Sequence, residues 1–218
     1  MDYIIKYHKD MVHLAGDKIK KIDLLMDKKF KVSIIQLMEV AGLRLAEFIV
    51  TKVSKEKKIV FFIGSGNNGG DGLVAARYLT SWKFNIDIIL IKQRSKQSLL
   101  IQHHLTFLEK YNVSTTIFNE KKEISKYDII IDGLLGSSLK SKPKLSITKA
   151  INKINSSKKT IISIDVPSGL NTKSGFLYNS HVRPQYILSF MCAKCGFKKL
   201  KDSEIYIANI GININNFL

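Results

Sequence analysis

The stretch Ile59-Val-Phe-Phe-Ile-Gly-Ser-Gly-Asn-Asn-Gly-Gly-Asp-Gly72 decides how this chain is read. Ile59–Ile63 is an apolar run of strand length, and glycines end it. A helical pattern follows from about Gly70 to Trp82. Residues 64–69 satisfy G-x-G-x-x-G between a strand and a helix, where glycine lets backbone N–H groups approach a phosphate at the positive helix end. Two features set the turn apart from that of a dinucleotide dehydrogenase. It adds the side chains of Asn67, Asn68 and Asp71, more than a helix cap requires. The next strand, Ile86–Ile91, ends in Lys92-Gln-Arg94 rather than in the acidic residue that would hold a ribose. No Gly-Lys-Ser/Thr follows, which excludes a P-loop nucleotide hydrolase.

Working outward, strands and helices alternate. After Ile86–Ile91 come a helix over Leu99–Tyr111, strands at Val113–Phe118 and Asp128–Asp132, and a helix over Ile147–Asn155. Strands follow at Thr160–Asp165, Tyr186–Phe190 and Ile205–Ala208. Wholly apolar strands separated by helices predict a mostly parallel sheet covered on both faces. The first fifty residues read as two helices, Asp17–Met26 and Ile34–Thr51, with Ser33 as N-cap of the second. The predicted architecture is a single α/β domain over residues 1–218, a mostly parallel central sheet with an N-terminal helical extension. In such sheets ligands bind beyond the carboxyl ends of the strands.

Two further strand ends carry polar groups. Asp132 closes an apolar strand and leads into Gly133-Leu-Leu-Gly-Ser-Ser-Leu-Lys140. Asp165 closes another, followed by Val166-Pro-Ser-Gly169. A carboxylate there binds a cation, binds a ligand hydroxyl or caps the next turn. Two such aspartates facing a glycine-rich anion turn form a constellation.

Composition narrows the setting. The 218 residues carry 35 Lys+Arg against 18 Asp+Glu, a net charge of +17. The lysines are spread along the chain without interleaved aromatics, so nucleic-acid binding is not favoured, although anionic ligands are. No apolar run reaches membrane-spanning length, and the N-terminus lacks the pattern of a secretory signal. With only Cys192 and Cys195, the expected location is a reducing cytoplasm. That C-x-x-C lacks a second ligand pair and reads as two incidental thiols. The five histidines show no metal-ligand spacing.

Four segments together resemble the YjeF N-terminal domain family, the NAD(P)H-hydrate epimerases: Leu37–Gly42, Gly66–Leu79, Asp132–Gly136 and Ser163–Leu170. A weaker echo is Ser189–Gly196, where Lys194 is given no more than a loop-orienting role. The resemblance implies a Rossmann-like three-layer αβα sandwich and an isomerase that interconverts the R and S forms of hydrated NADH and NADPH (NADHX and NADPHX), in cofactor repair. It implies a homodimer working beside a separate NAD(P)H-hydrate dehydratase. Asn67, Asn68, Gly69, Gly70 and Asp71 would contact the substrate, as would Asp165 and the covering loop Gly136, Ser137, Ser138, Leu139, Lys140, Ser141 and Lys142. A potassium ion would be held by Asn68, Asp132 and Ser168. The loop sequence Gly136-Ser-Ser-Leu-Lys140 departs from the family's usual Gly-Thr-Gly or Gly-Phe-Ser. Epimerisation by loss and return of a hydroxyl needs an acid and a base, for which Asp165 is the first candidate and Lys140 its partner. Lys92 and Arg94 suggest tolerance for the extra phosphate of NADPHX. The alternative is a non-catalytic scaffold or RNA-associated protein on the same fold.

Overall fold

The structure, a computed structural model, describes residues 3–217. In chain order the strands and helices are β1 (Ile4–Lys6), β2 (His13–Leu14), α1 (Gly16–Lys28), α2 (Ile34–Lys52), β3 (Lys58–Ile63), α3 (Asn67–Ser81), β4 (Asn85–Leu90), α4 (Leu99–Lys110), β5 (Ser114–Ile117), β6 (Ile129–Gly133), α5 (Leu145–Ser156), β7 (Thr160–Ile164), β8 (Leu170–Asn171), β9 (Phe176–Leu177), β10 (Tyr186–Phe190), β11 (Ala193–Lys194) and β12 (Glu204–Ala208). Eight strands form one sheet in the order β1-β12-β10-β7-β6-β3-β4-β5, parallel except for β1 against β12.

The strands are apolar on both sides because both sides are covered. Phe61, Ile63, Ile88, Ile131 and Ile164 pack under α1 to α4, while Val60, Phe62, Ile89 and Ile130 pack against Ala150, Ile151 and Ile154 of α5. The sandwich therefore has three layers, with four helices on one face and one on the other. Among the described residues no helix is long and apolar enough to cross a membrane.

The N-terminal fifty residues differ from two helices alone. They open with β1 and β2, too short to leave a periodic signature. β1 gains its identity from pairing with β12, Ile4 opposite Ala208. Helix α2 starts where Ser33 predicts: its side chain accepts from the Gln36 N–H, and the Gln36 side chain accepts from the Ser33 N–H. Helix α3 starts three residues earlier than its apolar pattern, at Asn67, because tertiary contact overrides the poor helix propensity of Asn and Gly.

Chain direction fixes the site. From β3 the chain moves outward through β4 to β5, then returns to β6 on the other side of β3. The crevice at such a reversal lies beyond the strand ends. The turn after β3 and the loop after β6 flank it.

Candidate functional site

A cavity of about 860 Å³ opens at this crevice. Its walls come from the turn after β3, the loop after β6, the segments after β7 and β10, helix α1 and the start of α2. That volume is within the usual range for small-molecule sites.

The turn is shaped by close backbone approach. A Cβ on Gly64 would sit 1.9 Å from the Leu134 carbonyl oxygen, and the Gly64 N–H donates to the Gly133 carbonyl at 3.0 Å. Of the predicted substrate contacts here, Asn67, Asn68 and Asp71 line the cavity. Gly69 and Gly70 do not. They lie beneath it, Gly69 against the Gly64 carbonyl and Gly70 against Met38, so their missing side chains serve packing. Asn68 is buried with its side chain against Gly136, and its Nδ2 has no hydrogen-bond partner.

Asp132 lies behind the cavity wall, wholly buried, opposite Ser163 in the sheet register. Its Oδ2 accepts from Ser163 Oγ at 2.7 Å and the Ser168 N–H at 2.9 Å. Its Oδ1 accepts from Ser168 Oγ at 2.6 Å and the Leu134 N–H at 3.3 Å. Burial pushes this carboxyl up from its usual range, against the pull of the two serines and the Leu134 N–H. Among the described residues no basic side chain lies within 4.0 Å of it. Ser168 also accepts from the Leu135 N–H at 2.9 Å, tying β7's exit to the loop.

Asp165 points into the cavity from the end of β7. It occupies a left-handed conformation, φ 62°, inside a tight turn closed by the Val166 N–H on the Ile164 carbonyl at 2.7 Å. Met191 repeats this at the end of β10, φ 70°, with the Cys192 N–H on the Phe190 carbonyl at 2.8 Å. Three-residue turns of this hand are rare and strained, and such strain gathers at functional sites. Asp165 Oδ1 receives the Lys194 ammonium at 2.7 Å, and Ser189 Oγ and the Phe190 N–H at 3.3 Å each. Lys194 is buried and also donates to Ser189 Oγ, the Phe190 carbonyl and the Cys192 carbonyl. The amine that meets Asp165 is thus Lys194. Lys140, expected in that role, stands exposed on the loop, with its carbonyl accepting from Tyr178 OH at 3.3 Å.

Two more carboxylates share this floor. Asp71 is raised well above the usual carboxylate range, first by burial and then by repulsion from Asp165 and Asp23. Asp23, from α1, is pushed up to about 6 by burial and by Asp165, with Lys194 pulling the other way. Asp23 escaped the sequence reading because a charge on a polar helix reads as solvated. Lys194 was flagged only by the weak motif at Ser189–Gly196.

The rim is basic. Lys20, Lys92, Lys140, Lys142 and Lys144 line the cavity around the loop residues Gly136, Ser137, Ser138, Leu139 and Ser141. Arg94 is occupied elsewhere, in an ion pair with Glu109 and hydrogen bonds to Gln102 and Thr106. A lysine rim over a carboxylate floor suits a ligand with anionic phosphates and a head group that gains positive charge.

The family model described as YjeF-related protein N-terminus matches residues 34–196. An NAD(P)H-hydrate epimerase of Plasmodium vivax is 37% identical over 75% of this chain, which spans 57% of that relative's length. One from Elusimicrobium minutum is 32% identical over 93% of the chain and 96% of its own. The solved yeast protein YNL200c superposes with a TM-score of 0.86 at 23% identity, covering 94% of this chain and 93% of its own, and shares the fold.

Proposed function

This chain belongs to the family of YjeF-related protein N-termini, and on that footing we propose that it epimerises NADHX and NADPHX, interconverting their R and S forms. The observation that carries the reading is the Asp165–Lys194 pair, set on a carboxylate floor beneath a lysine rim. The rim takes the diphosphate. The floor takes the damaged ring, whose hydroxyl sits on a carbon bonded to nitrogen. Donation by that nitrogen expels the hydroxyl and leaves a cationic iminium, which neighbouring carboxylates stabilise. Water then returns to the opposite face. Asp165 carries proton transfer in this reading, which is supported by Lys194, Ser189 and Phe190 all engaging Oδ1 and leaving Oδ2 to the cavity. Lys194 positions it, and Lys140 serves the rim.

A potassium ion is part of the proposal. A buried carboxylate without a counter-charge is costly, and Asp132 is one, with the unpartnered Asn68 amide as a second group wanting a ligand. A half-turn of that amide exchanges its nitrogen for its oxygen. Asn68, Asp132 and Ser168 are oxygen donors, the kind a hard cation prefers. Bound there, potassium would neutralise Asp132 and brace the turn. Epimerisation leaves the hydroxyl on the ring, so repair requires a separate dehydratase as partner. A cytoplasmic homodimer completes the reading, with light scattering as its check.

The test is epimerisation of separated S- and R-NADHX by the purified chain, followed by chromatography in potassium and in sodium buffers. The expected result is interconversion faster than the spontaneous rate, dependent on potassium and lost in Asp165→Asn. No acceleration from folded protein would replace the enzyme with a scaffold.

A further inference from the structure

We infer that Asp23 of α1 is a second catalytic carboxylate, serving the face of the substrate ring opposite Asp165. The inference rests on the epimerase reading and assigns the group that handles the departing hydroxyl.

Helix α1 turns Gly16, Ile19, Ile22 and Met26 inward. Asp23 stands on the same stripe, four residues after Ile19 and three before Met26. The other charged side chains of α1, Asp17, Lys18, Lys20, Lys21, Asp27 and Lys28, are exposed, whereas Asp23 is half-buried at the cavity wall. A helix so rich in polar positions has no packing reason to turn a carboxylate inward, where desolvation opposes it. The groups facing Asp23 are Asp71 from α3, Asp165 from the end of β7 and Lys194 from β11, with Lys20 and Asp27 nearby on α1 itself. Among the described residues Lys194 is the one ammonium in an ion pair with any of the three carboxylates, and it is committed to Asp165, Ser189 and two carbonyls. Carboxylates crowded in this way do not all ionise together. With its carboxyl raised to about 6, Asp23 is the member that exchanges its proton closest to neutrality, whereas Asp71, raised well above the usual range, holds its own.

The helix is held in register with the covering loop. The Gly16 N–H donates to Thr172 Oγ1 at 3.1 Å, and Thr172 Oγ1 donates to the Ser137 carbonyl at 2.8 Å. Any Cβ at Gly16 would lie 2.0 Å from that carbonyl oxygen. Loop and carboxylate therefore meet the substrate as one unit.

In the step, the nitrogen lone pair forms the C=N bond as the C–O bond breaks. The hydroxyl takes the Asp23 proton and leaves as water, and Asp23 is left a carboxylate. A second water adds to the same carbon from the other face, the C=N pair returns to nitrogen, and the surplus proton goes to Asp165 Oδ2. One turnover moves one proton from Asp23 to Asp165; the reverse epimerisation returns it, and between forward turnovers exchange with water resets both carboxyls.

The experiment compares wild type, Asp23→Asn and Asp23→Glu for epimerisation of NADHX across the pH range, with the spontaneous rate subtracted. For Asp23→Asn the expected result is a kcat about 100-fold lower with KM within about threefold, the usual cost of losing a general acid. The wild-type fall in kcat on the alkaline side should vanish in that variant, whereas Asp23→Glu should recover at least about a tenth of the rate and keep the fall. Asp23→Asn removes a half-buried like charge and should melt no lower than wild type; if it does not fold, Asp23→Ser is measured in its place. A kcat and limb unchanged in the variant that folds overturns the role of Asp23 alone. An inactive wild type overturns the epimerase reading itself.

Discussion

Lys194→Met is the substitution with the best-defined consequence. Methionine matches lysine in reach and removes the ammonium, whose side chain is 1% exposed against 12% for Asp165. The Asp165 carboxylate then loses its counter-charge while Asp71 and Asp23 stay close. Ser189 and the carbonyls of Phe190 and Cys192 lose their donor as well. Breaking a buried ion pair from one side costs about 3–5 kcal/mol. The residual exposure of Asp165 places the value near the lower end, about 3 kcal/mol. For a domain of this size each kcal/mol lowers Tm by about 2–4 °C, so a drop of roughly 6–12 °C is expected. Asp165→Asn/Lys194→Met removes both charges, so its loss should be smaller than the sum of the single losses by at least about 2 kcal/mol. Urea denaturation followed by circular dichroism measures all four proteins. A Lys194→Met loss under about 1 kcal/mol, or strict additivity in the double variant, would refute the account of Lys194 as the counter-ion of the floor.

Three further outcomes follow from particular contacts. Gly64→Ala forces a methyl group to 1.9 Å from the Leu134 carbonyl and should cost over about 3 kcal/mol, whereas Gly66, with nothing within 4 Å, should accept Ala at under about 1 kcal/mol; thermal melts compare the two. His104 is buried with Nε2 unpartnered, and burial pushes its pKa down to about 4. Because the folded value lies below the unfolded one, its contribution to stability is full above about 6.5 and is lost as pH falls toward 4, a loss that His104→Phe should lessen in acid melts. Lys92 lines the cavity while Arg94 is bound to Glu109, so Lys92→Ala should raise KM for NADPHX several-fold and Arg94→Ala should leave it nearly unchanged; initial rates decide.

Much of the fold is legible because a buried parallel sheet writes itself as apolar runs of fixed length, and the turn after Ile63 marks where the first such run meets a helix. Asp132 and Asp165 are legible for the same reason, since a carboxylate ending an apolar strand stands out. The start of α3 is not, because Asn67–Gly70 become helical only through contact with Gly64 and Met38. β1 is not, because three residues acquire strand identity from a partner some two hundred positions away. The roles of Asp23 and Lys194 escape for an electrostatic reason. Their importance lies in which charges they face across the cavity, and no local periodicity encodes that.

The pairing of β1 with β12 has a consequence for how the molecule assembles. Ile4 finds its place against Ala208, so the sheet cannot be completed until the chain has reached Ala208. The same holds for the floor of the cavity, whose acidic groups come from α1, α3 and the exit of β7 while their one ammonium comes from β11. Contacts between such remote segments raise the entropic barrier to folding and slow it. During synthesis on the ribosome, Asp23, Asp71 and Asp165 all emerge ahead of the lysine that reconciles them. The sheet and the site thus become competent together, once these later segments are made, and a truncation before Lys194 would strand an incomplete sheet with an unneutralised acidic cleft.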